Sequence, residues 1–483
     1  MSKKSIKLNM VLNAIKGLMG VIFPFLTYPY ILRVLGLDNV GRFTFSDSYI
    51  SYYVLLAGLG VGTYAVREGA RVRNEKEKIN TLTSQIFTIN IISMIVSLLL
   101  LILTIVFIPP LYKYRALLLV LSLQVILKTV GIEWIYSIYE DYAFVTIRSI
   151  CFQILSLVLM FIFVRKPEDT VIYACIVVFS SGIANLINFV YSRKYCHVGI
   201  VKNLDLKRHI KPILILFAMT ATVTVYVNSD ILILNFMCGD EADTIVGIYS
   251  VSTKVYTVIK TILSSIIVVS IPRLSSILGS GDKEKFNEVA TDVYKTLLAV
   301  MLPSMVGIIL LRKEIVLIVS GTEDCLPATS SLALLSIAIV FCMGAWFWGQ
   351  CVLVPMKLDK KIFTITIISA LINIILNFIL IPFWQENAAA FTTILAEAFS
   401  FVGTYYIGKE YAKIDKMGSY LIKVLVGCAG IIAVVLLIRM LNLNMIMFVI
   451  SSIAASAILY FLIELILKNE ALIPLLRKLK RKK

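Results

Sequence analysis

Long apolar runs follow one another along almost the whole chain, separated only by short polar stretches, and each is long enough for a helix to cross roughly 30 Å of hydrocarbon. The pattern predicts fourteen membrane helices, the first seven at 11–32, 43–66, 81–108, 116–137, 142–164, 170–191 and 212–236. Seven more follow at 245–271, 296–311, 328–354, 362–381, 388–407, 420–440 and 445–466. The fold class expected is therefore an all-α membrane protein. Its basic start (Lys3, Lys4, Lys7) runs into an apolar stretch without a small-residue cleavage site, which reads as a first span rather than a removable signal. Lys and Arg concentrate in alternate connections, on the side of both chain ends, whereas the loops 237–244 and 382–387 on the other side contain neither. The positive-inside rule then places both termini in the cytoplasm, as an even number of spans requires.

Composition sharpens this picture. Of 483 residues 59% are hydrophobic and 16% charged, against about a quarter charged in soluble domains. A net charge of +17 would ordinarily raise nucleic acid as a partner. Here the cations sit in short loops between spans, so their role is topological and no nucleic-acid partner is expected. The polar stretches are too short to hold a soluble catalytic domain, and no GxxxxGK[ST] phosphate cradle occurs. The chain reads as a pore or secondary transporter, not an enzyme. Cys151, Cys175, Cys342, Cys351 and Cys428 lie in apolar runs and read as small buried hydrophobes. Cys238 and Cys325 fall in two outer loops, where a disulfide is one reading. His197 and His209 share a basic loop and are expected to be solvated.

An internal repeat is visible. Val40-Gly-Arg-Phe-Thr-Phe-Ser46 and Val246-Gly-Ile-Tyr-Ser-Val-Ser252 align without a gap, each opening the second helix of a six-helix set. Parallel repeats of this kind place a substrate path near the midplane and work by rocking one half against the other. The expected organisation is 1–195 and 196–410 as two lobes, with 411–483 adding two helices and a basic tail. Pro24 and Pro29 make the first helix a hinge candidate, the alternative being static packing, and Gly58-Leu-Gly60-Val-Gly62 permits a bend in the second.

The segments Tyr30-Ile-Leu-Arg33-Val-Leu-Gly36-Leu-Asp-Asn-Val-Gly41, Gly58-Leu-Gly60 with Arg67, and Leu371-Ile-Asn373-Ile-Ile-Leu-Asn377-Phe-Ile-Leu-Ile-Pro382 before Ala388-Ala-Ala390 carry a likeness. In their order, spacing and fourteen-span frame the chain resembles the Wzx-type oligosaccharide flippases, relatives of the lipid II flippases and of the multidrug and toxin extruders. It departs from that pattern at Gln385-Glu-Asn387, where the family has Gly before the Ala pair. The resemblance implies a two-lobe bundle in the bacterial inner membrane that moves undecaprenyl-pyrophosphate-linked repeat units between leaflets for capsule- or O-antigen-type polymers. A polysaccharide polymerase and glycosyltransferases are the implied partners.

Such a cargo needs cations within the membrane, where each charge costs about 2.5–3.5 kcal/mol and so marks function. The candidates are Lys16, Lys254 and Lys260, on helices that line the family's cavity, followed by Arg148 and Lys128. Asp47, Tyr49, Tyr52 and Tyr53 are further cavity candidates, the tyrosines either stacking on sugars or packing helices. Trp346 and Trp348 read as anchors or fillers. For the coupling ion, Asp230, Asn373, Asn377, Thr393 and the carbonyl of Ala389 form a candidate sodium site, since hard cations prefer oxygen ligands; this set resembles the sodium site of some lipid II flippases. A proton on Asp230, or simple hydrogen bonding between helices, would use the same residues. Competing functions are a lipid II flippase, a drug-cation antiporter with an acidic cavity built on Asp47, Glu133, Asp230 or Glu397, and a structural partner of a polymerase.

Overall fold

The structure is a computed structural model that describes residues 6–415, 417–467 and 469, without the side chains of 6–16, 18, 21 and 22. Its helices in chain order are α1 (Ile6–Leu35), α2 (Leu37–Gly58), α3 (Val61–Val72), α4 (Lys76–Phe107), α5 (Arg115–Val130), α6 (Trp134–Ile138), α7 (Tyr142–Phe163) and α8 (Thr170–Ser192). They continue as α9 (Leu206–Met237), α10 (Ala242–Gly279), α11 (Lys283–Leu310), α12 (Arg312–Ser320), α13 (Ala328–Trp346), α14 (Asp359–Gly408), α15 (Met417–Arg439) and α16 (Met445–Ile466). Twelve segments of the described residues are long and apolar enough to cross a membrane. The partly described α1, together with the division of α14 at Gln385, whose φ of 49° breaks the helix there, completes the fourteen expected. The chain is a multi-pass integral membrane protein.

Packing divides the chain into two units, Met1–Ser250 and Val251–Lys483, so the division falls inside α10. In the first unit α2 packs on α4, α5 and α9, and α8 on α5 and α7. In the second, α13 lies along α14, and α11 along α13 and α15, with α16 on α15.

Within lipid the usual polarity of a helix is reversed, because apolar side chains can face hydrocarbon while polar ones must find partners inside. α4 shows the reason in its own sequence. Ile92, Val96, Leu99 and Leu103 point outward, whereas Asn90, Ser93 and Ser97, spaced three and four apart, are buried and bind carbonyls of α2. Ser93 Oγ donates to Ala57 O at 2.6 Å, Ser97 Oγ to Tyr53 O at 2.7 Å, and Asn90 also to Ala57 O. At its other end α4 carries Asn80, Thr83, Ser84, Gln85 and Thr88, which hydrogen-bond the backbone of the α8–α9 connection between His197 and Asn203.

That strap corrects one expectation. His197 is exposed, but His209 is 0% exposed and hydrogen-bonded to Tyr64 OH at 2.8 Å and Gln85 Oε1 at 3.0 Å. Its partners lie on α3 and α4, far away in sequence. We expect His209→Ala to lower the stability of the detergent-purified protein by about 1–3 kcal/mol, since Tyr64 and Gln85 lose a buried partner. Thermal unfolding measured beside a His197→Ala control checks this, and equal losses in both variants would refute it. The cysteines need correction too. No disulfide joins Cys238 and Cys325, and Cys151 and Cys175 are exposed rather than buried.

The repeat reads out directly in the first unit, where α2 meets the start of α10. A Cβ on Gly41 would lie 1.8 Å from Asp243 O and 3.0 Å from Gly247 N, and one on Gly247 would lie 2.5 Å from Leu37 O. In the gapless alignment, Gly41 corresponds to Gly247 and Leu37 to Asp243, so the contact is reciprocal. Thr244 Oγ1 donates to Asp38 Oδ1 at 2.6 Å, and those two positions also correspond. Beside this close approach Asp243 accepts hydrogen bonds from Arg42 Nε at 2.9 Å, Lys113 Nζ at 3.3 Å and Tyr114 OH at 2.5 Å.

Candidate functional site

A cavity of about 1000 Å³ lies wholly inside the first unit. Two neighbouring helices break beside it. Between α2 and α3 the chain passes through left-handed conformations at Leu59 (φ 43°) and Gly60 (φ 70°). Gly60 also lets α9 approach, since a Cβ there would sit 2.7 Å from Phe217 N. Between α5 and α6 the turn runs through Gly131 and Ile132, the latter at φ 34°. Broken helices leave backbone groups without helical partners, which is tolerated at membrane depth only where protein or a polar cavity covers them. Gly58 and Gly62 line the opening, and a Cβ on either meets nothing within 4 Å.

The wall mixes apolar and polar side chains, and its charged groups are mostly cations. Arg67 of α3, Lys128 of α5 and Arg148 of α7 face one carboxylate, Glu133, while Gln124, Gln153, Ser181 and Asn185 are among the neutral donors and acceptors. Arg148 is 9% exposed. Its Nη1 donates to Ala184 O at 2.7 Å, and its Nη2 lies 3.7 Å from Glu133 Oε1. Its Nε and Gln153 Oε1 have no hydrogen-bond partner among the described residues. The lining residue Trp134 belongs to an apolar core of α3, α4 and α6 side chains that includes Tyr64, Ile86 and Ile135.

A family model described as polysaccharide biosynthesis protein matches residues 6–278, more than half of the chain. The chain belongs to that family. A second model, described as MatE, matches residues 217–379. The Escherichia coli (strain K12) protein named "Putative O-antigen transporter" is 22% identical over 402 residues, spanning 82% of this chain and 95% of its own. Among solved structures, "Lipid II flippase MurJ, inward closed conformation" has the same fold, with a TM-score of 0.73 at 17% identity over 95% of this chain and 98% of that one. A multidrug resistance MATE family transporter in an inward-facing conformation aligns with a TM-score of 0.57 at 13% identity, over 85% of this chain and 96% of its own.

Against this family background, the residues singled out in the sequence fall into separate places. Arg148 and Lys128 line the cavity. Asp47 stands behind its wall, accepting a hydrogen bond from the lining residue Gln124 at 3.1 Å. Tyr49 and Tyr53 are buried and hydrogen-bonded to each other at 3.2 Å, with Tyr53 also bonded to Thr104 at 2.8 Å, so both pack helices. Tyr52 is on the same helix, α2. Lys16 belongs to α1, but its side chain lies outside the described residues, as do the terminal cations Lys3 and Lys4 and those from Lys468 onward. Lys254 is half-buried on α10. Lys260, also on α10, lies over the Tyr256 ring at 5.5 Å and within electrostatic reach of Glu397. Both prolines of the first helix lie inside α1, which is continuous from Ile6 to Leu35. Trp348 fills the core at 2% exposure and Trp346 is 38% exposed.

The residues of the candidate sodium site divide between the units. Asp230, in the first, accepts a hydrogen bond from Tyr249 OH at 2.8 Å. In the second, Thr392 joins the two asparagines: its hydroxyl donates to Asn377 Oδ1 at 2.5 Å and accepts from Asn373 Nδ2 at 3.3 Å. Thr393 Oγ1 donates to Ala389 O at 2.9 Å. Sequence reading missed Thr392, although it lies beside Thr393. It also missed Gln124, Gln153 and Asn185, whose signal was an amide within an apolar run.

Proposed function

We propose that this protein carries polyprenyl-diphosphate-linked oligosaccharide repeat units from the inner to the outer leaflet of the bacterial inner membrane, with both termini cytoplasmic, and performs no covalent chemistry. The observation that carries the reading is the cavity wall: three cations against one carboxylate, with amides and hydroxyls between them, inside a bundle whose outer surface is apolar. A charged phosphate and a hydroxylated glycan need that environment, while the isoprenoid tail needs only lipid. The name of the Escherichia coli relative supports the same cargo class. A drug cation would require the opposite wall charge, and a lipid II flippase is favoured by fold likeness alone. A polymerase and glycosyltransferases that make and consume the repeat unit are the natural partners.

The test is complementation of a strain lacking its own repeat-unit flippase. Surface polymer should return with the native gene, and a protein present in the membrane that restores none would overturn the reading. Coupling to sodium or to a proton belongs to the same proposal. The oxygens of Asn373, Asn377, Thr393 and Ala389 have the hard, neutral character sodium prefers, and Asp230 would supply the single negative charge or accept the proton. Sodium coupling predicts that sodium raises the melting temperature of the purified protein relative to potassium, and that Asp230→Asn removes the difference. Identical melting in both salts would rule the sodium site out, leaving a proton on Asp230 or simple hydrogen bonding between helices.

A further inference from the structure

We propose that Glu464, near the end of α16, is a proton-binding site at the cytoplasmic end of a polar seam where α16 packs against α15 and α11. The site lies within the second unit and shares no residue with the cavity or with the candidate sodium site; only its sidedness rests on the orientation proposed above. The pattern is present in the sequence of α16. Ser452, Ser456, Tyr460 and Glu464 recur every fourth residue in a run that is apolar but for Ser451, and such spacing puts all four on one helix face. Ser452 and Glu464 are 0% exposed and Ser456 is 8% exposed. α15 meets this stripe with Gly427, where a Cβ would lie 2.6 Å from the Tyr460 ring and 2.9 Å from Glu464 Oε1. On the α11 side Tyr460 OH donates to Ala299 O at 2.8 Å, and beside it Tyr420 of α15 donates to Lys295 O at 2.7 Å.

Polar side chains inside a span normally bond between helices, and Tyr460 does so. Glu464 does not. Its Oε2 accepts from Asn469 Nδ2 just beyond the helix, while its Oε1 has no hydrogen-bond partner among the described residues, and neither have the hydroxyls of Ser452 and Ser456. Static packing requires no carboxyl here, and an ionisable group within a span is costly enough to mark function. The titratable and charged groups around it are Tyr460 on its own helix, Tyr420, Lys423 and Cys428 on α15, and Lys295 on α11. Cys428 and Tyr460 lie within electrostatic reach of the carboxyl, and Lys295 Nζ sits over the Tyr420 ring at 5.5 Å. The step is a proton transfer alone: Oε1 takes a proton from water and returns it, and no other bond changes. Toward its other end the seam closes on an apolar cluster of Phe448 and Val449 with Leu311, Ile431 and Val435. The proton therefore enters and leaves beside Asn469, so that occupancy follows cytoplasmic acidity and not a gradient across the membrane.

Infrared difference spectra of the full-length protein in lipid, taken between acidic and alkaline buffer, read the site directly. The native protein should show the carbonyl stretch of a protonated, buried carboxyl in acid. Glu464→Gln should lose that band, whereas Asp230→Asn and Glu397→Gln should keep it, with thermal unfolding reporting that each variant is folded. Gly427→Ala sets a methyl against Oε1 and should shift the frequency of the band without removing it. If no band appears in the native protein, or if Glu464→Gln leaves it intact, the site is wrong. Sidedness is read in sealed vesicles of known orientation by labelling with dicyclohexylcarbodiimide, which adds to protonated carboxyls. The Glu464 adduct should fall severalfold when only the buffer on the side of the chain ends is made alkaline, and a fall that follows the opposite buffer would overturn loading from the cytoplasm. Neither readout needs cargo, so a failed complementation would discard the flippase reading and leave this site standing, and a missing band would do the reverse.

Discussion

Replacing Gly41 by valine should leave almost no folded protein in the membrane. A Cβ there would lie 1.8 Å from the Asp243 carbonyl oxygen and 2.7 Å from its carbon, and both are backbone atoms that no rotamer change can move. Overpacking ordinarily costs about 1–3 kcal/mol because side chains adjust; here α2 and α10 must separate as whole helices. Fluorescence-detected size-exclusion of a tagged protein measures the outcome. Gly307→Ala, where a Cβ meets nothing within 4 Å, is the control and should match the native profile. A monodisperse Gly41→Val peak of native height would show that the helices tolerate the wider spacing.

The second large effect belongs to Asp243, whose side chain is 7% exposed and accepts from Arg42, Lys113 and Tyr114. Asp243→Ala should destabilise the purified protein by about 2–4 kcal/mol. The estimate allows for hydrogen bonds to a buried charge while discounting the two cations, which are 47% and 44% exposed and regain water. Tyr114→Phe should cost less, since it removes one donor and leaves both cations in place, though Asn235 loses its own acceptor on the Tyr114 hydroxyl at 2.7 Å. Denaturation midpoints for the two variants check the order. A smaller loss for Asp243→Ala than for Tyr114→Phe would mean the ion pairs contribute nothing there.

The spans were legible because a helix crossing hydrocarbon must be both long and apolar, and nothing else in a sequence imitates that. Arg148 was legible for the complementary reason, as a charge in an apolar run. Its neighbours were not: Gln124, Gln153 and Asn185 are uncharged, and an isolated amide in a span reads equally well as interhelical glue. The break after α2 was foreshadowed by Gly58 and Gly60. Its counterpart after α5 was hidden, because Ile132, a β-branched residue, occupies the left-handed conformation at φ 34°, where side-chain preference argues against a turn. His209 was misjudged because nothing local to its basic loop announces Tyr64 or Gln85. Gln385 is the reverse case. It occupies the stretch that departs from the family's glycine, and its φ of 49° is the kind of backbone a glycine adopts most readily.

The reciprocal contact between α2 and α10 has the pairing of a symmetric interface. Leu37 and Gly41 touch Asp243 and Gly247, their own counterparts in the repeat, and such self-pairing is what a twofold dimer of one half-length chain makes. A side chain at either glycine would meet the backbone of the other repeat, so both positions require glycine. The neighbouring positions have diverged. Arg42 holds Asp243, but the mirror pair is Leu37 and Ile248, both apolar. The two sides of this reciprocal contact are therefore chemically unlike, an ion pair on one and an apolar pair on the other.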